Sequence, residues 1–250
     1  MDKQRPPPAK DITPAAPAGT PTAAPKSNAG DIAAFLAAAK SIRPAASGDG
    51  RLIFALDATM SRQPTWDAAC RLQGEMFEAV GKAGGLAVQL VYFRGMAECN
   101  ASRWVSDTAR LADLMSRIDC RGGATQIGKV LKHASSQAQT GRVNALVYIG
   151  DAMEEEIDRL CGLAGELGLR NVACFMFHEG HDPVAATAFK EIARLTGGAY
   201  VRFDRAAASE LAGLLRAVAT FARGGRAALE HSGGPAARLL LGQLPKGSER

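Results

Sequence analysis

Five residues of this 250-residue chain have side chains and spacing that suit cation chemistry. In RLIFALDATMSR, Arg51 to Arg62, an apolar run ends in Asp57, and hydroxyls follow at alternate positions, Thr59 and Ser61. Alternation in an extended loop turns such side chains toward one point. Carboxylate and hydroxyl oxygens are hard donors, suited to Mg²⁺ or Mn²⁺ with water completing the shell. Further oxygens must come from elsewhere, and the chain offers two. Thr125 follows a Gly-Gly pair at a helix start in CRGGATQIG, and Asp151 ends the apolar run of LVYIGD. An Asp before Ser or Thr is also common as a turn or cap. The addition of Thr125 and Asp151 favours the cation reading over that one.

Other chemistries fit less well. An aspartyl phosphatase of the haloacid-dehalogenase type would use Asp57 as nucleophile and needs a second acid two residues later to protonate the leaving group. Thr59 stands there. GATQIGKV, Gly123 to Val130, matches most of a phosphate-binding loop, but Val130 occupies the place of the Mg²⁺-binding hydroxyl. HEGH, His178 to His181, offers two histidines without an evident third ligand, and reads as a polar loop at the rim. MEEEID, Met153 to Asp158, places Glu154–Glu156 at a helix start, where carboxylates suit the dipole.

The elements that must position these residues alternate in pattern. Short apolar runs at Leu52–Leu56, Ala87–Phe93, Ala145–Ile149, Val172–Phe177 and Ala199–Phe203 suit strands buried on both faces. Helical spacing lies between them. Trp66, Cys70, Phe77 and Val80 mark one face after Pro64. Leu111, Met115 and Ile118 mark a second face, Ile127, Val130 and Leu131 a third, and Ile157, Leu160, Cys161 and Ala164 a fourth. Phe189, Ile192, Ala193 and Leu195 mark a fifth, and Leu211 to Phe221 a sixth. ECNASRWVSD follows the second strand too closely for a crossover and reads as an antiparallel edge strand, with Trp104 partly buried over the sheet edge. The fold class is therefore α/β: a doubly wound, mostly parallel open sheet of about six strands, helices on both faces and one antiparallel edge. Such sheets bind ligands at the carboxyl ends of their strands, near the switch point.

Asp57-x-Thr59-x-Ser61, then Thr125, then Asp151, resembles the metal-ion-dependent adhesion site (MIDAS) of von Willebrand factor type A (VWA) domains. The resemblance covers about 51–222 and extends to the strand order, the hairpin after the second strand and TGGAY before the last. It implies that Ser61, Thr125 and the Thr59 hydroxyl hold the cation directly, with Asp57 and Asp151 acting directly or through water. It also implies that a partner's carboxylate completes the shell. The family usually has Ser at Thr59 and Gly at Met60; Met60 is expected to crowd or cover the rim.

The remaining composition bounds the function. Seven of the twelve prolines precede Asn28, so 1–29 reads as a disordered Pro/Ala-rich arm, followed at 30–50 by a short helix from Asp31 and a linker. The net charge of +5 divides into +2 over 1–50, zero over 51–222 and +3 over 223–250. A neutral folded domain speaks against nucleic-acid binding. The last segment reads as a basic, Gly-rich tail. No apolar run is long enough to span a membrane, and no secretory leader is evident. The five scattered cysteines read as reduced, as in the cytoplasm. The expectation is a cytoplasmic, non-enzymatic binding module that uses Mg²⁺ or Mn²⁺ to capture an acidic group of a protein. The rivals are a metal-dependent hydrolase at Asp57, with His178 or His181 as base, and a structural domain.

Overall fold

A computed structural model describes residues 50–62, 85–204 and 208–246. The expected Pro/Ala-rich arm, the helix from Asp31 and the helix after Pro64 lie outside the described residues. Six strands form one sheet: β1 (Gly50–Asp57), β2 (Leu86–Arg94), β3 (Glu98–Ala101), β4 (Ala145–Gly150), β5 (Ala173–Glu179) and β6 (Ala199–Phe203). Their spatial order is β3-β2-β1-β4-β5-β6. Every neighbouring pair is parallel except β2 with β3. The expected sheet, including its antiparallel edge, is thus present. Beyond β3 the backbone keeps contact with β2 through the bond from Ser102 N to Leu90 O at 2.8 Å and an antiparallel bridge, Val88 to Val105. Trp104 is half-buried there, its Nε1 donating to Gln137 Oε1 at 2.8 Å and the Arg51 guanidinium 5.2 Å from its ring centre.

The described helices are α1 (Thr108–Ser116), α2 (Ile127–Thr140), α3 (Ile157–Leu169), α4 (Pro183–Thr196), α5 (Ala208–Ser232) and α6 (Gly234–Leu241). Strand alternation sends Leu52, Phe54 and Leu56 to the face shared with α1, α5 and α6. Ile53 and Ala55 go to the face shared with α2, α3 and α4. β2, β4 and β5 are buried along their whole length, which is why they read as continuous apolar runs. Local chemistry sets the helix ends. Asp182 caps α4, accepting from Val184 N and Ala185 N at 2.7 and 2.8 Å, with Pro183 in the first turn. Gly197 ends α4 in the left-handed conformation, φ 64°.

One boundary moves. Residues 223–241, set apart in sequence by their Gly and Arg content, form the end of α5 and all of α6, joined at Gly233. α5 bends at Gly224–Gly225, where Gly225 has φ 66°, and continues to Ser232. Leu229, Ala237, Leu240 and Leu244 are buried in the same core as Leu214 and Val218. Gln243 Oε1 accepts from the first free amide of the outer strand β6, Tyr200 N, at 2.9 Å.

β1 and β4 are neighbours, yet the chain leaves them in opposite directions, to β2 and to β5. That is the switch point of the sheet, and Leu56 pairs with Ile149 there. Asp57 ends β1, and Asp151 follows β4 directly. The approach to β6 is tightly packed: a Cβ on Gly198 would lie 1.9 Å from the Cys174 carbonyl oxygen. Gly198→Ala is therefore expected to destabilise the protein by about 2–4 kcal/mol. Gly162, exposed on α3 with open space around it, should instead gain about 0.5–1 kcal/mol as Ala. Urea unfolding of both variants checks the contrast.

Candidate metal centre

Four of the five sequence-predicted donors form a continuous hydrogen-bonded chain. Asp57 is fully buried, and its Oδ1 accepts from Thr59 N at 2.8 Å. The Thr59 and Ser61 hydroxyls lie 3.1 Å apart. Ser61 Oγ donates to Asp151 Oδ1 at 3.1 Å. A short 3₁₀ turn, Met60–Arg62, makes this geometry: Arg62 N donates to Thr59 O at 3.1 Å and folds the loop back over the end of β1. Met60, expected to crowd the rim, is 51 % exposed.

The fifth donor, Thr125, is buried in the adjoining loop and is held by a reciprocal clasp. Glu154 N donates to Thr125 Oγ1 at 3.0 Å, and Thr125 N donates to Glu154 Oε2 at 3.1 Å. The loop is seated by Arg121 N on Ala58 O at 3.0 Å. The Gly pair acts by close approach: a Cβ on Gly123 would lie 2.1 Å from Gly95 O, so the loop before Thr125 presses directly on the β2–β3 turn. The glutamates read as serving their own helix do something else. α3 has Glu156 at its N-cap without a side-chain bond. Glu155 reaches across to the start of α2, accepting from Ile127 N and, at 3.0 Å, from Gly128 N. The dipole it serves is that of α2.

Below the donors lies a layer that sequence reasoning missed. Arg62 has no exposed surface and pairs with Glu179, itself buried at the end of β5. His178 and Glu179, read as part of a polar rim loop, are strand residues inside the protein. His178 Nδ1 lies 2.9 Å from the Tyr200 hydroxyl, and burial pulls its pKa down. His181 is exposed, 3.4 Å from Asp204. HEGH therefore brings no pair of histidines together. An Arg after Ser in a polar loop reads as a surface residue, and no local pattern marks it as buried.

The electrostatics follow from burial. Desolvation pushes the Asp57 carboxyl up to about 6, against the bonds from Thr59. Nearby Asp151 pushes the same way, and Arg62 opposes it. Burial lowers the Arg62 guanidinium, while Asp57 and Asp151 raise it. Among the described residues, no cluster of three or more His, Cys, Asp or Glu side chains is arranged to hold a metal ion. The donor set here is two carboxylates and three hydroxyls. Each bonded hydroxyl keeps a lone pair to offer. Asp57 Oδ2 is buried and has no hydrogen-bond partner among the described residues. Such an oxygen costs free energy unless a proton, water or cation meets it, so the residues fit a hard divalent ion.

A pH dependence follows. The raised pKa means that folded Asp57 holds its proton more tightly than the unfolded chain does. That contribution to stability is complete below about pH 4 and lost as pH rises through about 6. In EDTA, Asp57→Asn should be more stable than the parent at pH 8 by on the order of 2 kcal/mol. By pH 4 the difference should close, as read by urea unfolding at the two pH values. A gap independent of pH would contradict the buried, proton-holding carboxyl.

No family model matches the sequence, and no curated protein matches it. Solved structures do. The chain is similar to the VWA domain of SpRpn10, with TM-score 0.53 and 15 % identity over 65 % of this chain and 93 % of that one. It is similar to the vWF domain of the type V pili tip protein Mfa5 from Porphyromonas gingivalis, with TM-score 0.55 and 10 % identity over 70 % and 95 %. It is also similar to an aerotolerance-related membrane protein from Bacteroides fragilis, with TM-score 0.51 and 18 % identity over 64 % and 94 %. With the strand order and the switch-point loops described above, these likenesses establish that the chain has the fold of a von Willebrand factor type A domain.

Proposed function

We propose that this chain is a protein-binding module that holds Mg²⁺ or Mn²⁺ at Asp57, Thr59, Ser61, Thr125 and Asp151 and captures a carboxylate of a protein partner. The observation that carries the reading is the open oxygen: Asp57 Oδ2, buried and without a hydrogen-bond partner among the described residues, at the head of the chain through Thr59 and Ser61 to Asp151. When bound, the ion supplies a positive charge with a coordination position that an acidic group can fill. Asp57 and Asp151 balance that charge, the hydroxyls orient it, and the Thr125–Glu154 clasp fixes the adjoining loop.

The surroundings support a protein as partner. Met60, Met96 and Val184 are 51 %, 79 % and 55 % exposed. They sit in the loop after β1, in the β2–β3 turn and at the start of α4, all at the carboxyl end of the parallel strands. Exposed apolar side chains around a polar centre are the composition of a contact surface, and methionine adapts its shape to a partner. Of the two histidines that a hydrolase would recruit, His178 is buried with its Nδ1 2.9 Å from the Tyr200 hydroxyl, and His181 is exposed beside Asp204. Among the described residues, no helix is long and apolar enough to cross a membrane.

The direct test is a thermal-shift titration of the full chain with Mg²⁺ and Mn²⁺, backed by Mn²⁺ binding read by electron paramagnetic resonance. A saturable rise in Tm is expected for the parent chain. Asp57→Ala and Thr125→Ala should each remove most of it. A rise that persists unchanged in both variants, or no bound Mn²⁺ at millimolar concentration, sinks the metal site.

A further inference from the structure

Beside the two donor carboxylates the buried ion pair of Arg62 and Glu179 adds a guanidinium and a third carboxylate. Arg62 follows Ser61 directly, has no exposed surface, and pairs with Glu179 at the end of β5. The charges of Asp57 and Asp151 act on the same guanidinium. Burying an ion pair is seldom a gain in stability over well-packed apolar residues of similar volume, while removing one partner alone is strongly destabilising. Stability is therefore a weak reason to keep this pair. Its place is informative: a permanent positive charge is buried on the residue next to Ser61, and the Arg62 amide closes the 3₁₀ turn of that loop on Thr59 O at 3.1 Å.

We infer that Arg62 is the resident cation of this site, a positioning residue that holds Asp57 and Asp151 together when no divalent ion is bound and weakens the binding of that ion, so that the ion is exchanged rather than kept. Glu179 sets how much of the Arg62 charge the two aspartates feel. The inference rests on the cation reading given above. It goes further in stating that the site is preformed without metal and that its affinity is set from beneath. With Arg62 in place, two like charges can stay close without an added ion. An incoming Mg²⁺ then meets an acid pair already partly neutralised and a guanidinium that repels it. Both effects lower affinity.

The two partners should act in opposite directions, which a merely structural pair would not do. Mg²⁺ and Mn²⁺ binding to the full chain is measured by calorimetry, with apo Tm in EDTA as the second readout. Arg62→Met with Glu179→Met removes both charges from a buried layer. It should bind Mg²⁺ severalfold more tightly than the parent, since the Arg62 charge acts on Asp57 directly and the loss of Glu179 with it offsets only part of the gain. Its Tm should also depend more steeply on metal. Arg62→Lys keeps the charge and should stay near the parent affinity. Glu179→Gln leaves the Arg62 charge unshared and should weaken binding severalfold. Should the double variant fail to fold, Glu179→Gln against Arg62→Lys still reads the sign. Folded variants with unchanged affinity, or all shifted the same way, overturn the role of Arg62 while leaving the metal site standing. Absence of Mg²⁺ and Mn²⁺ binding in parent and variants alike overturns both.

Discussion

The structure depends on a single constraint: the strands that form the switch point are covered on both faces, so their polar groups can collect only at the strand ends. β1, β4 and β5 carry apolar side chains to both helix layers. Asp57, His178 and Glu179 are then buried at the carboxyl ends, with Arg62 paired to Glu179 among them. Buried there, each charge has to be met by another charge, a hydrogen bond or an ion. Arg62 with Glu179 meets one part of that demand. The chain from Asp57 to Asp151 meets another. The oxygen left over on Asp57 is what makes the place a candidate for binding rather than a closed ion-pair cluster.

The loops above the layer are organised by the same demand applied to backbone amides. The first turn of α2 has free N–H groups and no side-chain cap of its own. Glu155 supplies the missing acceptor from the loop after β4, and Glu154 does the same for Thr125. Two loops that carry donors of one site are thereby joined to each other rather than left to move independently. Gly123 against Gly95 adds a steric contact with the β2–β3 turn. The result is a cradle whose walls are set by bonds between loops.

What was readable in the sequence follows from these causes. The strands were legible because burial on both faces makes them continuous apolar runs, as in ALVYIG and ACFMF within β4 and β5. Asp57, Thr59 and Ser61 were legible because their relation is local, and Asp151 because it follows a strand directly. Thr125 was legible as a hydroxyl at a helix start after a Gly-Gly pair, but its clasp was not, since the partner Glu154 lies in a different loop. Arg62 and Glu179 were not legible. Each is polar and stands beside other polar residues, and their burial is decided by a pairing between distant segments. Residues 223–241 were misjudged for a related reason: Gly and Arg dominate the composition, while the few residues that matter, Leu229, Ala237 and Leu240, are spaced around a bend.

The Gln243 bond to Tyr200 bears on the exposure of the sheet's outer edge. An open sheet has two exposed edges, and each is a template on which another chain can add a strand. Here the β3 edge is only four residues long. The β6 edge is five residues long, carries exposed Arg202 in its middle, and has its leading amide occupied by a side chain from beyond α6. The segment after α5 thus takes an edge amide out of reach of an added strand as well as completing the core.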